Sequence, residues 1–215
     1  MSWKNLRKRI SDFLNQKVLL CDLDGTLIET KSGKTFPEDI NDWKFKPYIK
    51  EAIQEYNPKY IFIISNQGGI EKGFVDEKDF YVKFRRIIDE VKTWGNFIVD
   101  GAFCPYDNPE CIDRKPNTGM VDFFRQACVM GYDFDNRHAL MIGDASGLKG
   151  QFSNTDLQCA RNAGIRYTDV KFFIEAMVPC LAICKECNLP CGAGKYPFLP
   201  CSDNKRVRLE EVLMK

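Results

Sequence analysis

Two aspartates separated by one residue, Asp22 and Asp24, directly follow the short apolar run Val18-Leu19-Leu20-Cys21. Such a run is typical of a buried strand, and ligands of open parallel sheets bind beyond the carboxyl ends of the strands. Two carboxylates this close repel each other unless a cation lies between them, and Mg²⁺ prefers oxygen ligands. The pair therefore predicts a metal-dependent site at the end of the first strand.

Three further polar clusters lie at the ends of later strands or loops. They are Ser65-Asn66-Gln67-Gly68-Gly69, Arg114-Lys115-Pro116 and Gly143-Asp144-Ala145-Ser146-Gly147. An isolated Asp-x-Asp pair is a weak signal, because aspartates often cap helices. Four clusters in this order are much harder to explain by capping alone, and they indicate one site assembled from several strand ends.

The elements that must position these clusters alternate along the chain. Apolar runs predict strands at 18–21, 60–64, 97–103 and 139–142, and the segments near 47–56, 76–94, 118–130 and 155–163 have helical patterns. All-apolar strands separated by helix-length segments predict an α/β fold in which both faces of a parallel sheet are covered.

Composition excludes several classes of protein. The chain has 31 Lys and Arg against 30 Asp and Glu, so no overall field attracts nucleic acid or membranes, and a polyanion site would have to be a local patch. No apolar run approaches the roughly 20 residues of a membrane-spanning helix. Ten cysteines without a signal peptide indicate reduced thiols or metal ligands, hence a cytoplasmic or, in a eukaryote, nuclear location.

The four clusters resemble those of the haloacid dehalogenase superfamily. The resemblance implies that Asp22 is a nucleophile that forms an aspartyl-phosphate, and that Asp24 acts as the acid and base. It also implies that Ser65 and Asn66 bind the phosphoryl group and that Lys115 neutralises its charge. Because Asp24 is present, the resemblance is to the phosphatases of the superfamily rather than to its dehalogenases.

The same resemblance implies a bound Mg²⁺ and a three-layer, Rossmann-like sheet. Asp22, Asp144 and the backbone carbonyl of Asp24 would hold the metal, with Asp156 nearby but outside the direct ligands. Only forty residues separate Gly25 from Ser65, and the loop before Lys115 is also short, so neither leaves room for a cap domain. The domain, residues 1–178, is therefore expected to have an open site.

Finer matches over about residues 17–175 resemble the polynucleotide 3′-phosphatases, the phosphatase half of a DNA end-repair enzyme. They include Asp22 to Ile28, Ser32-Gly33-Lys34, Asp42-Trp43 and Phe152-Ser153-Asn154-Thr155-Asp156. This resemblance implies 3′-phosphate ends of nucleic acid as substrates. Ser32-Gly33-Lys34-Thr35 is not a P-loop, because Ile28 stands where the first glycine belongs.

Two alternatives remain open. Capless histidinol-phosphate and heptose-bisphosphate phosphatases carry a zinc loop, and Cys104 and Cys111 match two of its ligands while Tyr106 and Asp113 replace the others. Structural zinc normally takes four nitrogen or sulfur ligands, so a zinc site is not expected there. The second alternative is a zinc-bearing interaction protein with a degenerate phosphatase fold, against which the intact carboxylates and Lys115 count.

The extension at residues 179–215 is rich in cysteine. Cys184 and Cys187 have the spacing of a bidentate thiolate pair, and Cys191 and Cys201 could complete a tetrahedral Zn²⁺ site. Ordinary reduced thiols are the competing interpretation, because free cysteine packs well in protein interiors.

Candidate contacts for a nucleic-acid strand lie near the second cluster. Long cationic side chains on or beside the predicted helix 76–94 either form a solvated face or follow a phosphate backbone. They are Lys72, Lys78, Lys83, Arg85 and Arg86. Trp43 and Tyr106 either stack on bases or belong to the core.

Overall fold

The computed structural model describes residues 17–129, 134 and 136–178. The strands in this part of the chain are β1 Val18–Cys21, β2 Ile28–Glu29, β3 Lys44–Phe45, β4 Tyr60–Asn66, β5 Ile98–Cys104, β6 Ala139–Gly143 and β7 Arg166–Asp169. The α-helices are α1 Ile49–Tyr56, α2 Glu77–Lys92, α3 Gly119–Val129, α4 Thr155–Ala163 and α5 Val170–Met177.

Five strands form one parallel sheet in the order β5-β4-β1-β6-β7. Cys21 at the end of β1 pairs with Ile63 of β4 and with Ile142 of β6, so β1 lies in the middle of the sheet. The predicted parallel sheet is therefore confirmed, and the residue that follows β1 emerges at the centre of its carboxyl edge.

Helices cover both faces of the sheet, which explains why β1 is apolar at every position. Leu19 and Cys21 belong to a core cluster shared with α1, α2 and α5, whereas Val18 and Leu20 belong to a second cluster shared with α3 and α4. Successive side chains of a strand point to opposite faces, so a strand covered on both faces is apolar throughout. The predicted three-layer fold is confirmed.

Elements with weak apolar patterns were not predicted from the sequence. β2 and β3 pair as a two-residue antiparallel ladder between the first and second polar clusters. β7 lies at the sheet edge and reads Arg166-Tyr167-Thr168-Asp169, which has no continuous apolar run. The described chain between Gly25 and Ser65 holds this ladder, α1 and turns, and no cap domain, as expected.

Helix α2 begins one residue after Asp76, whose carboxylate accepts hydrogen bonds from the N–H groups of Lys78 and Asp79. This capping satisfies backbone donors that a helix start leaves free.

Within residues 17–178, no described helix combines the length and the apolar character needed to cross a bilayer. The Cys-rich extension, and with it the predicted zinc ligands Cys184, Cys187, Cys191 and Cys201, lies outside the described residues.

Candidate active site

Asp22 stands at the centre of the carboxyl edge of the sheet. Its backbone N–H donates to the carbonyl of Ile142 at 3.0 Å, which extends the ladder between β1 and β6 by one bond. Ser65 is the second-last residue of the neighbouring strand β4, and Asp144 directly follows β6. Three of the four predicted clusters therefore meet at one edge because their strands are adjacent and parallel.

The fourth cluster reaches the same point through Lys115, in the loop before α3. Its Nζ donates to Asp22 Oδ1 at 2.6 Å and to the carbonyl of Ile64 at 3.0 Å. The same Nζ lies 2.7 Å from Asp156 Oδ1, and only 2% of each of these two side chains is exposed. A buried ammonium between two carboxylates fixes the nucleophile candidate with charge-assisted contacts.

Asn66 holds the backbone of Lys115. The Lys115 N–H donates to Asn66 Oδ1, and Asn66 Nδ2 donates to the Lys115 carbonyl, both at 2.9 Å. The peptide bond between Lys115 and Pro116 is cis. The side chain of Asn66 is thus engaged with the lysine, and its predicted contact with phosphate stays a prediction.

Asp22, Asp144 and Asp156 form an acidic cluster in which one oxygen from each lies within 4.8 Å of the others. Gly25 and Gly143 make room for it. A Cβ on Gly25 would overlap the carboxylate of Asp144, and a Cβ on Gly143 would overlap that of Asp156. Gly25 also has a φ of 82°, a backbone conformation that favours glycine.

Burial shapes the electrostatics of this cluster. It raises the pKa of Asp22 well above its usual range; Lys115 opposes the shift, and Asp156 and Asp144 add to it. Burial and Asp156 also raise the pKa of Asp144. Burial disfavours the charge of Lys115, but Asp156 and Asp22 outweigh it and raise the pKa of the ammonium.

The donor set of the cluster fits a hard divalent cation. Three carboxylates meet one buried ammonium, which leaves excess negative charge that a cation would neutralise. Asp156 Oδ1 is buried, and although it contacts Lys115 it is not aligned for a hydrogen bond. Asp156, expected beside the metal but not among its direct ligands, lies inside the cluster itself. Carboxylate oxygens in this arrangement are the ligands that Mg²⁺ takes in proteins.

Asp24 occupies a different environment, with 51% of its side chain exposed. Its Oδ2 accepts a hydrogen bond from Gln67 Nε2 at 2.6 Å, and the same amide donates to Ser65 Oγ at 2.8 Å. Its Oδ1 lies 3.8 Å from Lys83 Nζ. Lys83 is buried, so its interpretation as part of a solvated helix face is wrong. No pattern in the sequence indicates that Gln67 links Asp24 to Ser65.

The rim of the site includes the paired charges of Arg114, Asp107 and Lys72 and the exposed aromatic side chain of Tyr106. Arg114 Nη2 donates to Asp107 Oδ1 at 2.5 Å, and Lys72 forms an ion pair with the other oxygen of Asp107. Tyr106 is exposed, so stacking on a base stays a prediction for it. Trp43 is partly buried against the core and contacts the edge of Phe45, which favours the core interpretation.

The loop that resembles a zinc loop holds two adjacent thiols. The sulfur atoms of Cys104 and Cys111 are 3.5 Å apart, and burial raises the pKa of Cys104 to about 11. Tyr106 and Asp113, which replace the other two zinc ligands, are exposed. Among the described residues, the acidic cluster is the one group of three or more His, Cys, Asp or Glu side chains close enough to share an ion.

Comparison with known proteins identifies relatives of two kinds. The family described as polynucleotide kinase 3 phosphatase matches residues 17–173. The bifunctional polynucleotide phosphatase/kinase of Schizosaccharomyces pombe is 34% identical over 165 residues, which cover 74% of this chain and 38% of that protein. The histidine biosynthesis bifunctional protein HisB of Campylobacter jejuni is 28% identical over 156 residues, 71% of this chain and 41% of that protein.

The chain thus spans about two fifths of the length of these curated relatives, 38% and 41%.

A solved structure of D,D-heptose 1,7-bisphosphate phosphatase from B. bronchiseptica, complexed with magnesium and phosphate, superposes with a TM-score of 0.53. It is 22% identical and covers 71% of this chain and 79% of its own. This likeness establishes the haloacid dehalogenase-type fold.

Proposed function

Because the chain belongs to the polynucleotide kinase 3 phosphatase family, we propose that it is a Mg²⁺-dependent phosphomonoesterase that removes 3′-phosphate from nucleic-acid ends. The observation that carries the proposal is the buried contact of Lys115 with both Asp22 and Asp156, at the centre of the carboxyl edge and inside the matched residues. Phosphoryl transfer requires positioning and charge stabilisation, and this arrangement supplies both.

Asp22 is the proposed nucleophile. A carboxylate oxygen of Asp22 forms a bond to phosphorus while the bond from phosphorus to the leaving oxygen breaks, which gives an aspartyl-phosphate. Lys115, 2.6 Å from Asp22 Oδ1, holds the carboxylate in place and offsets the charge of the transferring group. The hydroxyl of Ser65, near the end of β4, would donate to a phosphoryl oxygen.

Asp24 is the proposed acid and base. It gives a proton to the leaving oxygen in the first step and takes one from water when the aspartyl-phosphate is hydrolysed. Its half-exposed side chain, unlike that of Asp22, has access to both a leaving group and solvent water. Asp22, Asp144 and the Asp24 carbonyl would hold Mg²⁺, with Asp156 beside them, and the ion would neutralise charge on the phosphoryl group.

A polymer end suits the open site. The described segments after β1 and β5 contain no cap that would enclose a small molecule, so the substrate beyond its phosphate can extend over the rim.

A small phosphorylated metabolite is the second candidate substrate. The similarity to HisB and the thiol pair of Cys104 and Cys111, in a loop that resembles a zinc loop, support it.

A substrate panel tests the proposal. Wild-type protein and the Asp22→Asn variant would be assayed with one oligonucleotide carrying a 3′-phosphate and with the same oligonucleotide carrying a 5′-phosphate. Histidinol phosphate and a heptose bisphosphate complete the panel, each with Mg²⁺ and with a chelator. We expect release of phosphate from the 3′-phosphorylated strand, dependent on Mg²⁺ and absent in the variant.

Preferential hydrolysis of histidinol phosphate or of the heptose bisphosphate would replace the polymer end with the small metabolite. Turnover in the presence of chelator at the wild-type rate would contradict the metal dependence. Turnover by Asp22→Asn would contradict the aspartyl-phosphate, because an amide is not a nucleophile of the required strength.

A further inference from the structure

Lys83 is a charged residue within the apolar stripe of helix α2. Only 7% of its side chain is exposed, and Phe80, Phe84 and Ile87 are its buried neighbours on the helix. Burying an ammonium group is unfavourable unless an opposite charge compensates it. The carboxylate it faces is that of Asp24, whose Oδ1 lies 3.8 Å from Lys83 Nζ.

The two oxygens of Asp24 meet two different partners. Gln67, in the turn after β4, donates a hydrogen bond to Oδ2, while Lys83 approaches Oδ1 from α2 at a distance longer than a hydrogen bond. Gln67 is in turn tied to Ser65 at 2.8 Å. The side chain of Asp24 is therefore oriented from two elements even though half of it is exposed.

We propose that Lys83 and Gln67 are positioning residues for the proton transfer by Asp24, an inference that rests on the proposed function. Gln67 occupies Oδ2, so Oδ1 is the oxygen that carries the proton to the leaving oxygen as its bond to phosphorus breaks. Asp24 is then a carboxylate, and Lys83, already facing Oδ1, stabilises that charge. The neutral leaving alcohol departs, and the phosphoryl group remains on Asp22.

The leaving group of the substrate distinguishes this role from a structural one. An alkyl phosphate, such as a 3′-nucleotide, needs a proton on its leaving oxygen, whereas p-nitrophenyl phosphate releases a stable anion without one. The measured quantity is kcat/KM, because it covers the steps up to departure of the leaving group and not the later hydrolysis of the aspartyl-phosphate.

Lys83→Met is the test variant, since methionine is apolar and of similar length and leaves no unpaired polar group in the stripe. We expect its kcat/KM for the alkyl phosphate to fall by about 10–100-fold, and that for p-nitrophenyl phosphate by less than about threefold. Lys83→Arg keeps the charge and should retain most of the activity on the alkyl phosphate. Lys92→Met removes an exposed charge from the same helix and should behave like wild type.

Equal losses on both substrates, or no loss on either, would overturn the proposal. A second measurement combines Lys83→Met with Asp24→Asn. If Lys83 acts through Asp24, the double variant should be no slower than Asp24→Asn alone, whereas multiplied losses would contradict the positioning role. Failure of the wild-type protein to hydrolyse any phosphate monoester would instead contradict the proposed function, so the two failures are distinguishable.

Discussion

The two aspartates of the first polar cluster are held in opposite ways. Asp22 has 10% of its side chain exposed and contacts a buried ammonium at 2.6 Å, while Asp24 has 51% exposed and meets an amide and a more distant ammonium. Both lie on the same short segment after β1, so the difference comes from the elements that pack around them.

This contrast separates a fixed side of the site from an accessible one. On the Asp22 side, each buried charge depends on its partners, and the loss of one partner leaves another charge uncompensated. On the Asp24 side, water screens the ion pair with Lys83, so each contact contributes less. The two sides should therefore respond differently to substitution.

Replacement of Asp22 by asparagine should have the largest effect on activity. The amide cannot attack phosphorus, so phosphatase activity should fall below detection, by more than about 10⁵-fold. The fold should remain, because the change conserves volume and removes a buried negative charge. Circular dichroism and thermal unfolding would verify the fold, and residual phosphatase activity in pure protein would exclude Asp22 as the nucleophile.

Replacement of Lys115 by methionine should lower both activity and stability. It leaves Asp22 and Asp156 as buried carboxylates without their shared cation, for which we expect a loss of about 3–5 kcal/mol in the free energy of unfolding. Turnover should fall by about 10³-fold or more, since a charge-stabilising group is lost. Urea unfolding measures the first effect, with the exposed Lys50→Met as the matched control.

A variant Lys115→Met as stable as the control would show that the buried ion pairs contribute little net stability. That outcome would remove the basis for calling the Asp22 side the fixed one.

Replacement of Asp24 by asparagine should slow turnover by about 10²–10⁴-fold, the range for loss of a general acid and base. It should lower the free energy of unfolding by less than Lys115→Met does, because Asp24 is half exposed and the buried Lys83 alone loses a facing charge. Steady-state kinetics and urea unfolding together test the contrast between the two sides. Wild-type turnover by the variant would place the acid elsewhere.

Stability without metal should fall as the pH rises. The pKa of Asp22 is raised by burial in the folded protein, so the folded state holds that proton more tightly than the unfolded state does. The stabilisation this gives is present below about pH 4, where an unfolded aspartate titrates, and is lost as the pH rises through the higher folded pKa.

Mg²⁺ should reverse this trend, because carboxylates must be deprotonated to bind the metal. We expect the increase in Tm on addition of Mg²⁺ to be larger at about pH 8 than at about pH 5.5. Differential scanning fluorimetry would measure it, with Asp22→Asn as the control in which the metal-free pH dependence is weaker. An equal Mg²⁺ shift at both pH values would contradict titration of the acidic cluster.

The sequence could predict the fixed side of the site well. Asp22, Ser65 and Asp144 end or follow apolar strands, so the rule for parallel sheets placed them together, and family resemblance added Lys115. The edge of the sheet is harder to predict. β7 runs from the exposed Arg166 to the buried Thr168 and Asp169 without a continuous apolar run, so no strand is predicted there.

The accessible side could not be predicted, because it depends on how α2 packs on the sheet. Lys83 lies three residues after Phe80, a spacing that places it on the apolar stripe of α2. Only the packing of the helix shows that it faces Asp24. Gln67 is one polar residue in a polar turn, and its contacts with Asp24 and Ser65 depend on the conformation of that turn.

The smallest expected effect concerns the substrate beyond its phosphate, which must leave the site over the accessible side. Lys115 is buried, so the strand beyond its 3′-phosphate cannot contact this ammonium. The strand passes the half-exposed Asp24 and can then reach only the charged side chains at the rim. Binding energy from such remote contacts can be used in the transition state.

We therefore expect kcat/KM for a 3′-phosphorylated oligonucleotide to exceed that for a 3′-mononucleotide by about tenfold. The advantage should shrink with added salt, with a logarithmic slope near −0.7 for each phosphate contacted on a single strand. The mononucleotide serves as the internal control, since it reaches the same Asp22 without those contacts. Equal rates on both substrates at every salt concentration would contradict the polymer end and favour the small metabolite.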